Sequence, residues 1–258
     1  MNIHKKTVVS AIILILIIGT VTLFFSKSNP DPSSKEATII IKGTTVKYVG
    51  KVSDKNAELF LNMVKGKNLT KLVINSGGGE INAGMEIGSW VFDNQIDVVV
   101  DGVCMSSCAN YVFTAGRFKT ITKGSIVGWH GNALSESAMS DQEIRRATTE
   151  IFNQMTESDQ KKLNLEEIIK TTIEQSSEYN ASSIKRQAEF FKKIGVDEYL
   201  CRIGLEEYGA EDFYILSVAD MARFGIQNVR APKNYEQTDL TSLCEKKGKK
   251  VEYIKLRD

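Results

Sequence analysis

Apolar positions along this chain alternate between a short period and a helical one. In "ATIIIKGTTVKYVG" two β-branched runs flank Lys42-Gly43, which predicts a hairpin. Ser53 then stands before Ala57, Phe60, Met63 and Val64, spaced for one helix face with the serine as its cap. "KLVINS" returns to a strand and runs into Gly77-Gly78-Gly79, after which Ile81, Met85, Gly88 and Phe92 give the buried face of another helix. "IDVVVDG" is almost continuously apolar, as in a parallel strand covered on both sides. A helical run follows Ser107, and "KTITKG" and "SIVGWHG" read as two more strands. From about 138 to 196 the chain is polar, helix-favouring and poor in Gly and Pro, which predicts a helical insertion. "DFYILSVADMARFGIQNV" resumes the alternation: a strand, a short helix capped by Ser217, a stop at Gly225 and a strand. The fold class this predicts is α/β.

The first 36 residues break the rhythm. "MNIHKK" is basic, and Thr7 to Phe25 carries no charge. A membrane-spanning helix needs roughly 17–25 such residues, whereas the apolar part of a cleaved signal peptide is about 7–15 long. No Ala-x-Ala follows, only Ser26-Lys-Ser28. Residues 1–25 are therefore expected to form an uncleaved single-pass anchor with Lys5 and Lys6 on the cytoplasmic side, a signal sequence being the alternative. Residues 26–36, "SKSNPDPSSKE", make a linker, and residues 37–258 form the domain, on the non-cytoplasmic side of the cell membrane.

Composition adds exclusions. A chain of 258 residues with a formal net charge of +1 has the capacity for a large core and no basic face for nucleic acid. The lysines of "CEKKGKKVEYIK" read as a solvated edge. Cys104, Cys108, Cys201 and Cys244 allow three complete pairings, among which a local Cys104–Cys108 bridge is one option. A Cys-x3-Cys pair without a neighbouring His is a weak zinc signal. No metal and no organic cofactor is called for.

Candidate chemistry gathers around "VCMSSCANYVFTAG". Ser106 and Ser107 stand where an apolar strand meets a helix. A serine there is either a cap, contributing ~0.5–2 kcal/mol, or a hydroxyl held at a tight turn beside unpaired helix amides. Its base would have to be His130, the sole imidazole outside the anchor. "INSGGGEINAG" lacks the Gly-Lys-Ser/Thr ending of a phosphate loop, but its glycines permit a backbone amide to approach a substrate carbonyl closely.

These segments resemble the proteolytic subunits of the Clp protease. "INSGGGEINAG" is similar to their Ile-Asn-Ser-Pro-Gly-Gly-x-x-x-Ala-Gly block, with Gly77 where the family has Pro. "MSSCANYVFTAG" resembles their nucleophile block, "IVGWHG" their catalytic-histidine strand and "LSVADMARFGIQNV" a block near their end, all in the same order. The resemblance, strongest to membrane-tethered or periplasmic members, implies a Clp/crotonase-type fold of repeated ββα units. Counted back from Ala115-Gly116, it implies Ser107 as nucleophile, His130 as base, and the amides of Gly79 and Cys108 as oxyanion donors. The third triad member falls nearest to Asp212, with Glu211 and Asp197 as alternatives.

The expected function is a membrane-anchored serine peptidase, ATP-independent, acting on peptide or protein substrates; the members it resembles form rings, while the sequence itself carries no interface signature for a homo-oligomer. A catalytically silent binding or scaffold module is the second expectation. A Ser–Lys dyad using Lys161 or Lys162 is the third.

Overall fold

The computed structural model describes residues 36–135, 139–240 and 248–257. The expected anchor, most of the linker and Cys244 lie outside these. Among the described residues no helix is long and apolar enough to cross a membrane.

β1 (Thr38–Lys42) and β2 (Thr45–Val49) form an antiparallel hairpin turning at Lys42-Gly43-Thr44. α1 (Asp54–Val64) begins where the Ser53 hydroxyl accepts the Asn56 amide at 3.3 Å, and it buries Ala57, Phe60 and Val64. β3 (Lys71–Ser76) leads through the glycine turn into α2 (Ile81–Asp93). The buried face of α2 comprises Ala83, Gly84, Met85, Ile87, Gly88 and Val91, which leaves Ile81 and Phe92 half-covered at its margin. β4 (Asp97–Met105) is the central strand, and the segment after it is a π-helix, Cys108–Phe113.

β5 (Lys119–Ile121), β6 (Ile126–Gly128) and β8 (Val229–Arg230) complete the main sheet. Its order is β1-β2-β3-β4-β5-β8, parallel everywhere except the hairpin. β4 is long enough to take two partners in succession: Val98–Val100 pair with β5, and Val103–Met105 pair with β6. A second sheet joins β7 (Phe213–Leu216) and β9 (Val251–Ile254) in parallel. The core fills the space between sheet and helices with residues such as Tyr48, Phe60, Val98, Val100, Tyr111 and Trp129, each fully buried. The architecture is thus mixed α/β with a mainly parallel sheet, as near-continuous apolar strands demand.

Helices α3 (Asp141–Asn153), α4 (Glu157–Gln160) and the first part of α5 (Leu165–Ile194), up to Ser182, make a separate unit. A capping box between Ser140 and Glu143 starts α3, and Arg145 pairs with Glu166 at 2.9 Å. Lys161 and Lys162 are exposed here, with Lys162 3.4 Å from Asp159. The remainder of α5 packs with the α/β unit. α6 (Ile203–Tyr208) and α7 (Val218–Arg223) also belong to that unit, and Ser217 caps α7 by accepting from the Asp220 amide.

Candidate active site

The last rung of β4 sets the geometry. Met105 is in register with Gly128, and the Ser106 amide donates to the Gly128 carbonyl at 3.0 Å. Two residues beyond Gly128 the chain reaches His130. Trp129 exchanges both backbone hydrogen bonds with Tyr214 at 2.9 Å, which fixes this segment against β7. The Phe213 ring then lies 4.3 Å from the imidazole, centroid to centroid.

Ser106 is the residue that turns the chain from strand to helix. Its φ is +55°, a left-handed conformation that non-glycine residues rarely adopt. It is half-buried, and its Oγ lies 2.7 Å from His130 Nε2. His130 itself is exposed, so the pair faces solvent. Such a turn holds a hydroxyl out in front of its own helix, where a base can reach it.

Ser107 points elsewhere. It is only 2% exposed, and its hydroxyl donates to the Gly79 carbonyl at 2.8 Å. It makes no side-chain cap to the helix either. The hydroxyl at the imidazole is that of Ser106, one residue before the expected Ser107. The segment beyond is a π-helix, whose bonds close five residues apart, where the sequence pattern predicts an ordinary helical run.

The glycine turn supplies the opposite wall. Gly78 has φ +87°, and a Cβ there would strike the Met105 carbonyl and stand 2.6 Å from Ser106 Cβ. Only glycine lets the two turns touch this closely. Gly79, at φ +150°, is bridged to Val52 through the Gly78 carbonyl and the Glu80 amide. That ladder leaves the Gly79 amide itself unused. Glu80 caps α2 by accepting the amides of Asn82 and Ala83. On the facing side, Ser107, Cys108 and Ala109 occupy the first helical turn, where amides have no intrahelical acceptor. With Ser106 at the imidazole, the amide directly after it in the chain is that of Ser107, and the Cys108 amide is one position further on.

Cys104 and Cys108 form a disulfide across this turn, with Cα atoms 5.2 Å apart, while Cys201 is a buried free thiol. Burial, with the nearby Glu198 charge adding to it, pushes the Cys201 thiol well up.

Asp212 lies one residue before β7. Its carboxylate accepts from Lys249 Nζ at 2.8 Å and from the Lys250 amide at 3.0 Å. Partial burial works to raise its pKa, but the Lys249 and Lys250 bonds and then the charges of Lys249 and His130 outweigh it and hold it below the usual value. Both oxygens of Asp212 are thus engaged by the lysines. The alternatives are committed elsewhere: Glu211 pairs with Lys250 at 3.0 Å, and Asp197 caps a 3₁₀ turn through the Tyr199 amide.

Two supports carried no sequence signal. Asn110, 2% exposed, donates from Nδ2 to the Gly131 carbonyl at 2.9 Å, tying the π-helix to the residue after His130. Gln187, fully buried on α5, accepts from Tyr111 Oη at 2.6 Å and from the Ala133 amide at 3.0 Å. Among the described residues no group of three His, Cys, Asp or Glu side chains is placed to hold a metal ion.

No protein-family model matches this chain, and no curated protein matches it. Among solved structures it is similar to an enoyl-CoA hydratase from Mycobacterium avium subsp. paratuberculosis K-10, at 9% identity and a TM-score of 0.28. The match covers 39% of this chain and 51% of that one, so it spans about half the length of the enzyme.

Proposed function

We propose that this chain is a serine hydrolase that cleaves peptide bonds through Ser106 and His130. One observation carries the reading: a solvent-facing hydroxyl on a left-handed residue at a strand-to-helix turn, 2.7 Å from the only imidazole of the domain. The sequence resemblance to Clp-type subunits supports peptide as the substrate.

His130 Nε2 takes the Ser106 proton as Oγ adds to the scissile carbonyl carbon. The carbonyl oxygen becomes an anion, met by the amides of Gly79 and Ser107, each such donor being worth about 2.7–4 kcal/mol in the transition state. The imidazolium returns its proton to the leaving amine. Water then repeats the sequence on the acyl-enzyme, which releases the acid and restores the serine. Asp212 favours the imidazolium through its charge.

The uncharged run 7–25 supports a membrane-anchored protein whose domain lies outside the cytosol. The disulfide supports the same side, because such bonds persist in oxidising compartments.

The test is a fluorophosphonate probe followed by mass mapping of the adduct. One adduct, on Ser106, is expected. An adduct on Ser107, or no adduct on folded protein, overturns the assignment, the latter in favour of a silent binding module.

A further inference from the structure

We propose that the Cys104–Cys108 disulfide is the clasp that holds Ser106 against His130, so that the site is competent in the disulfide form and disabled in the dithiol form. This rests on the hydrolase reading above.

A left-handed non-glycine residue is strained and persists only where its surroundings over-determine it. Two backbone bonds hold Ser106: its amide to the Gly128 carbonyl at 3.0 Å, and its carbonyl from the Asn110 amide at 2.8 Å. The second of these belongs to a helix that is itself irregular, because Cys108–Phe113 is wound as a π-helix. Rewinding that segment to α pitch would draw the serines along by about one position and take the Ser106 hydroxyl off the imidazole.

The bridge opposes that movement. Cys104 is fixed within the sheet, between Ser76 of β3 and Val127 of β6. Cys108 is the first residue of the π-helix, and both cysteines are fully buried. A covalent link between them sets the distance from strand end to helix start, across the two serines. A dithiol reductant opens it by exchange. A reagent thiolate attacks one cysteine sulfur, the S–S bond breaks to a mixed disulfide, and the second reagent thiol displaces the remaining cysteine. Two electrons and two protons pass to the protein, and the reagent leaves as its cyclic disulfide.

The experiment labels full-length protein with a fluorophosphonate in three states: bridge closed, reduced with dithiothreitol, and reoxidised with oxidised glutathione. Alkylation and mass measurement confirm each state. Reduction is expected to lower the limiting labelling rate of Ser106 at least tenfold, with little change in the half-saturating probe concentration, and reoxidation to restore it. Cys104→Ser/Cys108→Ser should match the reduced protein and ignore dithiothreitol. Equal limiting rates in the closed and open forms overturn the clasp. The imidazole ¹⁵N resonances of His130, with His4 the sole other histidine, read the contact without any chemistry and without the variant having to fold. They shift on reduction if the clasp acts, and identical spectra overturn it. Absence of labelling in the closed form would instead defeat the hydrolase reading, leaving these resonances to decide the clasp.

Discussion

Two neighbouring strands of this sheet end in turns that lead into helices, and the turns are built in opposite ways. After β3 the chain turns through glycines at φ +87° and +150°, and Glu80 caps α2 with its carboxylate. Every unusual torsion there falls on a residue that adopts it without cost from a side chain. After β4 the same task falls to Ser106 at φ +55°, with no side-chain cap and a π-helix beyond. The first turn is relaxed and the second is held under constraint. A relaxed turn suits a backbone amide that only has to be present. A constrained one suits a side chain that has to be presented at one angle.

Breaking the contrast at its centre should have the largest effect. Ser106→Ala and His130→Ala are each expected to lower peptide hydrolysis by about 10⁴-fold or more, and the double variant no further, as for groups that act as a unit. Steady-state rates of the three proteins check this. Next comes the contact between the two turns. Gly78→Ala would place a methyl against the Met105 carbonyl and Ser106. A loss of about 2–4 kcal/mol in urea unfolding is expected, from left-handed strain and overpacking together.

Lys119 tests the turn that follows the π-helix. Its ammonium is buried and donates to the Gly116 and Gln227 carbonyls at 2.7 and 3.0 Å. Burial brings its pKa down to about 8. Between that value and the unfolded 10.5 the unfolded chain binds more protons, so stability should rise with pH across that window. Lys119→Met should flatten the rise, as measured by thermal midpoints from pH 7.5 to 10.5. Ser107→Ala sharpens the comparison from the other side. It removes the bond to Gly79 but not the hydroxyl at the imidazole, so about 1 kcal/mol of stability should go while labelling of Ser106 stays within about threefold.

The smallest effect is expected at Asp212. Its ion pair with Lys249 is partly exposed, and Asp212→Asn should cost no more than about 1 kcal/mol. Because the folded pKa is depressed, this contribution is present above the unfolded carboxylate value and is lost as pH falls through the folded one. The stability difference between variant and parent should therefore vanish in acid denaturation.

Much of the scaffold was legible in the sequence because burial imposes a period. β-Branched runs marked the strands, and serines before helical spacings marked real caps at Ser53 and Ser217. His130 was legible by elimination. Which of the two adjacent serines meets it was not, because that depends on one left-handed torsion at Ser106, which composition and periodicity do not register. Asp212 was ambiguous for a different reason. What its carboxylate does depends on Lys249 and Lys250, 37 and 38 residues further along the chain. Residues this distant leave no mark on the local pattern.

Gln187 bears on how this centre moves. One carboxamide oxygen receives Tyr111 from the helix behind Ser106 and Ala133 from the loop behind His130, while its nitrogen reaches Glu198 at 2.7 Å. Rotating that group by half a turn would set donor against donor, so it has a single orientation. Hydroxyl and imidazole therefore share one anchor at their backs, and a tremor in either segment is passed to the other instead of opening a gap between them.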